Sequence, residues 1–122
     1  MYEYKAKVIR VVDGDTFIAT VELGFHITSK STFRLANIDT PETWKPKSEE
    51  ERHHGELAKQ FVIDAIDNSD IIIKTKKTGK YGRWIADVKY VRKSDDETCN
   101  LTEQLINHGF EKLKYVNGVY GG

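Results

Sequence analysis

Three short polar clusters interrupt an otherwise apolar, strand-like chain, and each carries groups that phosphate chemistry uses. They are Asp13-Gly14-Asp15-Thr16, the stretch from Arg34 to Asp39-Thr40-Pro41-Glu42, and Lys80-Tyr81-Gly82-Arg83. Asp15, Asp39 and Glu42 lie in or beside turn signals, where oxygen ligands can converge. A hard cation such as Ca²⁺ takes carboxylates, backbone carbonyls and waters. No Cys/His set at zinc-ligand spacing is present. Arg34 and Arg83 offer guanidinium groups, which match phosphate bidentately and stay charged. Taken singly, each cluster has an ordinary explanation. Asp-Gly is a common hairpin turn, Asp-Thr-Pro a common strand stop, and an isolated arginine is usually a surface residue. The chemistry becomes specific only if all three converge.

The elements that must bring them together follow from hydrophobic period. Residues 5–12, rich in valine and isoleucine, read as a strand ended by the Asp13-Gly14 turn. Residues 16–23 form a second strand, with Phe17, Ala19, Val21 and Leu23 on one parity. Residues 32–38 form a third, stopped where Pro41 cannot donate to a ladder. Arg34 and Asp39 are five residues apart, so this strand must bend or end before Asp39 if the two share a site. Residues 42–53, with Pro46 and Glu49-Glu50-Glu51, read as an exposed loop. From His54 the period turns helical through Leu57, Ala58, Phe61, Val62, Ala65 and Ile66, ending near Asn68. Residues 70–76 and 83–91 are two further strands. Asn100 with Glu103 signals a capped helix, with Leu101, Leu105 and Ile106 toward the core and Gly109 as its C′ residue. Residues 110–116 read as a final extended segment, and 117–122 as a frayed tail. The expected fold class is mainly β with helices (α+β), a single domain over 1–122. Its architecture is a five-stranded OB-type barrel, in which a helix follows the third strand.

Composition narrows the partners. Nineteen Lys and Arg balance nineteen Asp and Glu, so the chain has no net basic excess for coating nucleic acid. A small, locally basic site remains compatible with that. Cys99 is the single cysteine, so no intramolecular disulfide can form. No signal-peptide pattern follows Met1, and no apolar run reaches the roughly 20 residues a bilayer requires. A cytoplasmic monomer without a membrane partner is the default expectation, although a mature secreted form would look the same.

Read jointly, the order and spacing resemble the staphylococcal nuclease (thermonuclease) family. The resemblance rests on Val11-Val12-Asp13-Gly14-Asp15-Thr16, on Phe33-Arg34-Leu35 through Ile38-Asp39-Thr40-Pro41-Glu42-Thr43, and on Lys80-Tyr81-Gly82-Arg83. Weaker matches at Gly55-Glu56-Leu57-Ala58, in residues 101–109 and in residues 112–116 extend it over about 6–116. It implies an OB-fold that hydrolyses DNA or RNA with Ca²⁺, leaving 5′-hydroxyl and 3′-phosphate ends. Carried over by motif, Asp15 and Asp39 would ligate Ca²⁺ with the Thr40 carbonyl. Glu42 would position or deprotonate the attacking water, and Arg34 and Arg83 would grip the scissile phosphate. Lys80, Tyr81 and Tyr115 would contact the nucleotide.

Three departures stand out. Acidic residues follow Ser48 where a basic loop would help bind nucleic acid. Asn117 replaces a second aromatic after Tyr115. The chain also stops at Gly122, without a third long helix. Elsewhere, His53-His54 reads as a solvated helix cap, Trp84 as barrel packing and Trp44 as a contact for a base or a partner. The rival readings are a non-catalytic nucleic-acid-binding OB module and a protein-interaction domain. Retention of Asp15, Asp39, Glu42, Arg34 and Arg83 favours the enzyme.

Overall fold

A computed structural model describes residues 3–78 and 83–122, with backbone only for 76–78. Its strands are β1 (Glu3–Asp13), β2 (Thr16–Gly24), β3 (Ile27–Leu35), β4 (Asp70–Thr78), β5 (Trp84–Val91), β6 (Thr98–Asn100), β7 (Tyr115–Val116) and β8 (Val119–Tyr120). Its helices are α1 (Glu49–Ile66) and α2 (Leu101–Asn107). The main sheet runs β3-β2-β1-β4-β5-β6. Parallel pairing of Phe33 with Trp84, Arg34 with Ile85 and Leu35 with Ala86 joins β3 to β5 and closes β1 to β5 into a barrel. This is the expected five-stranded, OB-like, mainly β architecture with two helices. Among the described residues, no helix is long and apolar enough to cross a membrane.

Alternation along the strands fills the barrel. Val8, Phe17, Ala19, Phe33, Ile73, Ala86 and Val88 are buried, and the Phe17 and Phe33 rings stack at 5.5 Å. Helix α1 buries Ala58, Val62 and Ile66, one residue per turn, so its apolar face packs onto the barrel. Helix α2 adds Leu101 and Leu105, and Asn100 caps it by accepting from the Glu103 N–H at 3.0 Å. Trp84 sits at the barrel rim, with Tyr4, Leu23 and Phe33 around an apolar recess of about 190 Å³.

Several boundaries differ from the sequence reading. Strand β3 lies at 27–35 rather than 32–38, and Asn37 at φ 64° turns the chain immediately afterwards. That early stop removes the parity conflict between Arg34 and Asp39. Helix α1 begins at Glu49, not His54, because Ser48 caps it by accepting from the Glu51 N–H at 3.2 Å. Three acids in its first turn then face the positive helix end. Ile106 is exposed, and Thr102 is buried in its place, donating to the Ala36 carbonyl at 3.1 Å. Leu23 is exposed as well. Residues 117–122, read from sequence as a tail, form a hairpin with 115–116. Tyr115 pairs with Tyr120 and Val116 with Val119, and the Gly121 N–H donates to Lys114 O at 2.8 Å.

Candidate active site

The acidic site is built where three chain segments cross. The β1–β2 turn presents Asp15, and the Asp15 carbonyl accepts from Leu35 N–H at 2.8 Å, tying that turn to the end of β3. One Asp15 oxygen accepts from the Thr40 N–H at 3.2 Å and the other from the Thr16 hydroxyl at 3.0 Å. Gly14 lets this turn lie flat on Thr40, since a Cβ there would meet Thr40 Oγ1 at 2.8 Å. Thr40 is buried, and its hydroxyl has no hydrogen-bond partner among the described residues.

Arg34 projects from β3 into the turn that follows. Its Nη1 lies 3.4 Å from Asp15 Oδ2 and donates to the Ile38 carbonyl at 3.1 Å, while its Nη2 pairs with Asp39 Oδ1. One planar guanidinium thus touches both carboxylates assigned from sequence as metal ligands, and they converge. The backbone of Asp39 is pinned from the other side, where its carbonyl accepts from Lys112 N–H at 2.7 Å. Arg83 is half-buried at the head of β5, on the parity of Ile85, which pairs with Arg34. Lys80 and Tyr81 lie outside the described residues.

Glu42 is exposed at the edge of this site. Partial burial pushes its carboxyl above the ordinary value. Lys112 opposes the shift, and Asp13, Asp15 and Glu51 add to it. Asp13 is raised too, by burial and by Asp15, against hydrogen bonds from Gly14 and Thr43.

The segment after Glu42 is held by a buried carboxylate that the sequence reading placed in an exposed loop. Glu51 is fully buried. It accepts from Glu42 N–H at 3.2 Å, Lys47 N–H at 3.1 Å and the Tyr115 hydroxyl at 2.8 Å, with Lys112 Nζ at 3.5 Å. Burial alone would raise its pKa, but these four partners together hold it below the ordinary value. Gly55 lets α1 press on the same segment, because a Cβ there would stand 2.7 Å from the Pro41 carbonyl and 3.0 Å from that of Glu42. The signal for Glu51 was in the sequence, as Ser48-Glu49-Glu50-Glu51 is a capping-box spacing. Nothing in the sequence marked Gly55 as a contact point.

Tyr115, assigned to the nucleotide, commits its hydroxyl to Glu51 and to Ser48 at 2.8 Å. It still lines a cleft of about 910 Å³ with Arg34, Asp39, Lys47, Lys112 and Lys114. His54 is no solvated cap. It bridges Gly109 O, to which Nε2–H donates, and the Tyr120 hydroxyl beside Nδ1, each at 2.7 Å. Trp44 is 76% exposed, as a contact residue must be.

The family model described as staphylococcal nuclease homologue matches residues 32–119. The chain belongs to that family, and it is a nuclease-family domain. It is 29% identical to the thermonuclease of Staphylococcus hyicus over 97% of this chain and 64% of that protein. An uncharacterized protein of Methanocaldococcus jannaschii is 29% identical over 93% of this chain and 61% of that protein. Endonuclease YhcR of Bacillus subtilis is 26% identical over 93% of this chain, which spans 9% of that much longer protein. The chain spans less than two thirds of each of these relatives.

Proposed function

We propose that this domain is a Ca²⁺-dependent nuclease that hydrolyses phosphodiester bonds of DNA or RNA to 5′-hydroxyl and 3′-phosphate ends. The observation that carries the reading is the double grip of Arg34 on Asp15 and Asp39. The donor set suits a hard cation, being all oxygen: two converging carboxylates, the Thr40 carbonyl and a buried Thr40 hydroxyl without a partner among the described residues. Among the described residues no group of three or more His, Cys, Asp and Glu forms a metal cluster, so water must complete the shell. Asp15, Asp39 and Thr40 would hold the ion, which supplies positive charge to the phosphate oxygens and acidifies a bound water.

The other roles belong to the chain's own side chains. Arg34 and Arg83 neutralise the charge that gathers on the phosphate as water attacks. Glu42, with its carboxyl raised, accepts the proton of the attacking water. Lys80, Tyr81 and the ring of Tyr115 hold the nucleotide. The test is hydrolysis of single-stranded DNA and RNA with Ca²⁺, with EDTA, and by Arg83→Ala. Cleavage should vanish in EDTA, and the variant should lose roughly 10²–10³ in kcat. Activity that persists in EDTA or survives the substitution refutes the mechanism.

A further inference from the structure

A β-bulge in β1, between Val8 and Arg10, turns both Ile9 and Arg10 out of the barrel, where they are exposed. The register then lays cations in rows on the outward face of the first three strands. Arg10 stands beside Ile18, which pairs with Thr32, and Lys7 stands beside Thr20, which pairs with Lys30. The row beyond Ile18 and Thr32 is Thr16 with Arg34, at the acidic site. Residues two apart on a strand are separated by about 7 Å, so the rows step away from Arg34 at a spacing comparable to successive phosphates on an extended strand. Lys5, Lys7 and Lys89 continue the face into a groove of about 820 Å³ that also holds Thr20 and Thr28.

These cations are not spent on the protein itself. Arg34, Arg52, Lys74, Arg92 and Lys112 each lie against a carboxylate. Among the described residues, Lys5, Lys7, Arg10, Lys30 and Lys89 are exposed and make no ion pair. The acids of the face gather in the groove, where Glu3, Glu22 and Asp70 stand among Lys5, Lys7 and Lys89, and leave the row of Arg10 and the Lys30 position without an acid. Glu22 is at the far end of β2, Asp70 lies across from Lys7 on β4, and Glu3 is engaged by Lys74 at 3.9 Å. In a chain of zero formal charge, the excess is therefore local.

The geometry points to a second, non-catalytic nucleic-acid contact: a backbone track on the outward face of β1, β2 and β3 that holds the single strand leading away from Arg34. It rests on the nuclease reading and extends it from a bond to a polymer. OB-type barrels present the face of strands 2 and 3 to oligonucleotides, and evenly spaced cations with threonine hydroxyls between them suit a phosphate chain.

The experiment uses the triple variants K7E/R10E/K30E and K7Q/R10Q/K30Q, none of these residues belonging to the acidic site. Anisotropy of a labelled oligothymidylate of about 30 nucleotides, in EDTA, reads binding across salt concentrations, where each lost phosphate contact lowers the log–log slope by about 0.7. Both variants should bind at least tenfold more weakly, with a slope reduced by about 2. With Ca²⁺, their kcat/KM on an aryl phosphodiester of one nucleotide should equal that of the unaltered chain, while KM for long single-stranded DNA rises. Unchanged affinity and slope in the glutamine variant, with an unchanged melting temperature, overturns the track. So does an effect confined to phosphatidylglycerol vesicles. If the unaltered chain cleaves neither substrate, the nuclease reading fails by itself, and the EDTA binding arm still decides the track.

Discussion

Arg34 sits on the same two carboxylates that a cation would use, and its tasks oppose each other. Its guanidinium neutralises Asp15 and Asp39, with further bonds to the Leu35 and Ile38 carbonyls. A phosphate-gripping role requires the same group to turn toward substrate. Arg34→Ala should therefore tighten Ca²⁺ binding several-fold by calorimetry, because a neighbouring positive charge is removed, while turnover falls by roughly 10²–10³. Unchanged or weaker Ca²⁺ binding would sink the idea of competition. Arg34→Lys keeps the charge but not the planar fork that spans two carboxylates, so it should rescue little of the rate. A second residue-scale prediction concerns Gly55. The added methyl of Gly55→Ala meets two backbone carbonyls, which cannot swing aside as a flexible side chain can. Urea titration should show a loss of about 1–3 kcal/mol, the usual range for overpacking, with a drop in kcat as Glu42 is displaced.

At the scale of elements, the start of α1 matters most, because it orders the segment that carries Glu42. The sequence misleads here for a physical reason. Three consecutive glutamates look solvated, yet helical geometry turns only Glu51 inward, where three donors and Lys112 meet it. Burial of a charge is not visible in residue type alone, since it depends on partners distant in sequence such as Tyr115. The capping signals at Asn100 and Gly109 were legible because those bonds are local. The end of β3 was not legible, because parallel pairing to β5 stops at Leu35, and that is a long-range event. The pH dependence follows from Glu51. Its folded pKa is below the ordinary 4.5, so its contribution is fully present above about pH 4.5 and is lost as pH falls through the folded value. Stability by urea titration should decline below that pH, and less steeply in Glu51→Gln. At neutral pH the variant should be weaker by about 2–3 kcal/mol, since an amide cannot accept from all of those donors. Parallel pH curves for the two proteins would refute this account.

For the whole molecule, the barrel was readable from period-2 patterns and the order of elements, and convergence of Asp15, Arg34 and Asp39 from the turn signals between them. What lay beyond reach was the C-terminal clasp. Residues 117–122 are glycine-rich enough to read as a tail, but Asn117 at φ 53° and Gly118 at φ 78° make the tight turn of a hairpin. That hairpin returns Tyr120 to helix α1, where its hydroxyl accepts from Leu113 N–H at 3.1 Å and shares a hydrogen bond with His54 Nδ1 at 2.7 Å. Lys112, Leu113, Lys114 and Tyr115 form one wall of the cleft beside Arg34. The clasp therefore bonds to two residues of that wall, Leu113 and Lys114, from outside the cleft. A chain ended after Val116 loses the β7–β8 pairing and both bonds of Tyr120, while Tyr115 keeps its bonds to Glu51 and Ser48. With the ladder, the Gly121–Lys114 bond and both Tyr120 bonds gone, stability should fall by at least about 2 kcal/mol, read as a lower urea midpoint with an intact barrel spectrum. On the proposed reading, in which the wall holds substrate and the reacting groups stay in place, KM should rise while kcat at saturating substrate holds. Tyr120→Phe should shift both quantities in the same direction by a smaller amount. A fall in kcat without a change in KM would instead assign the hairpin to the chemistry.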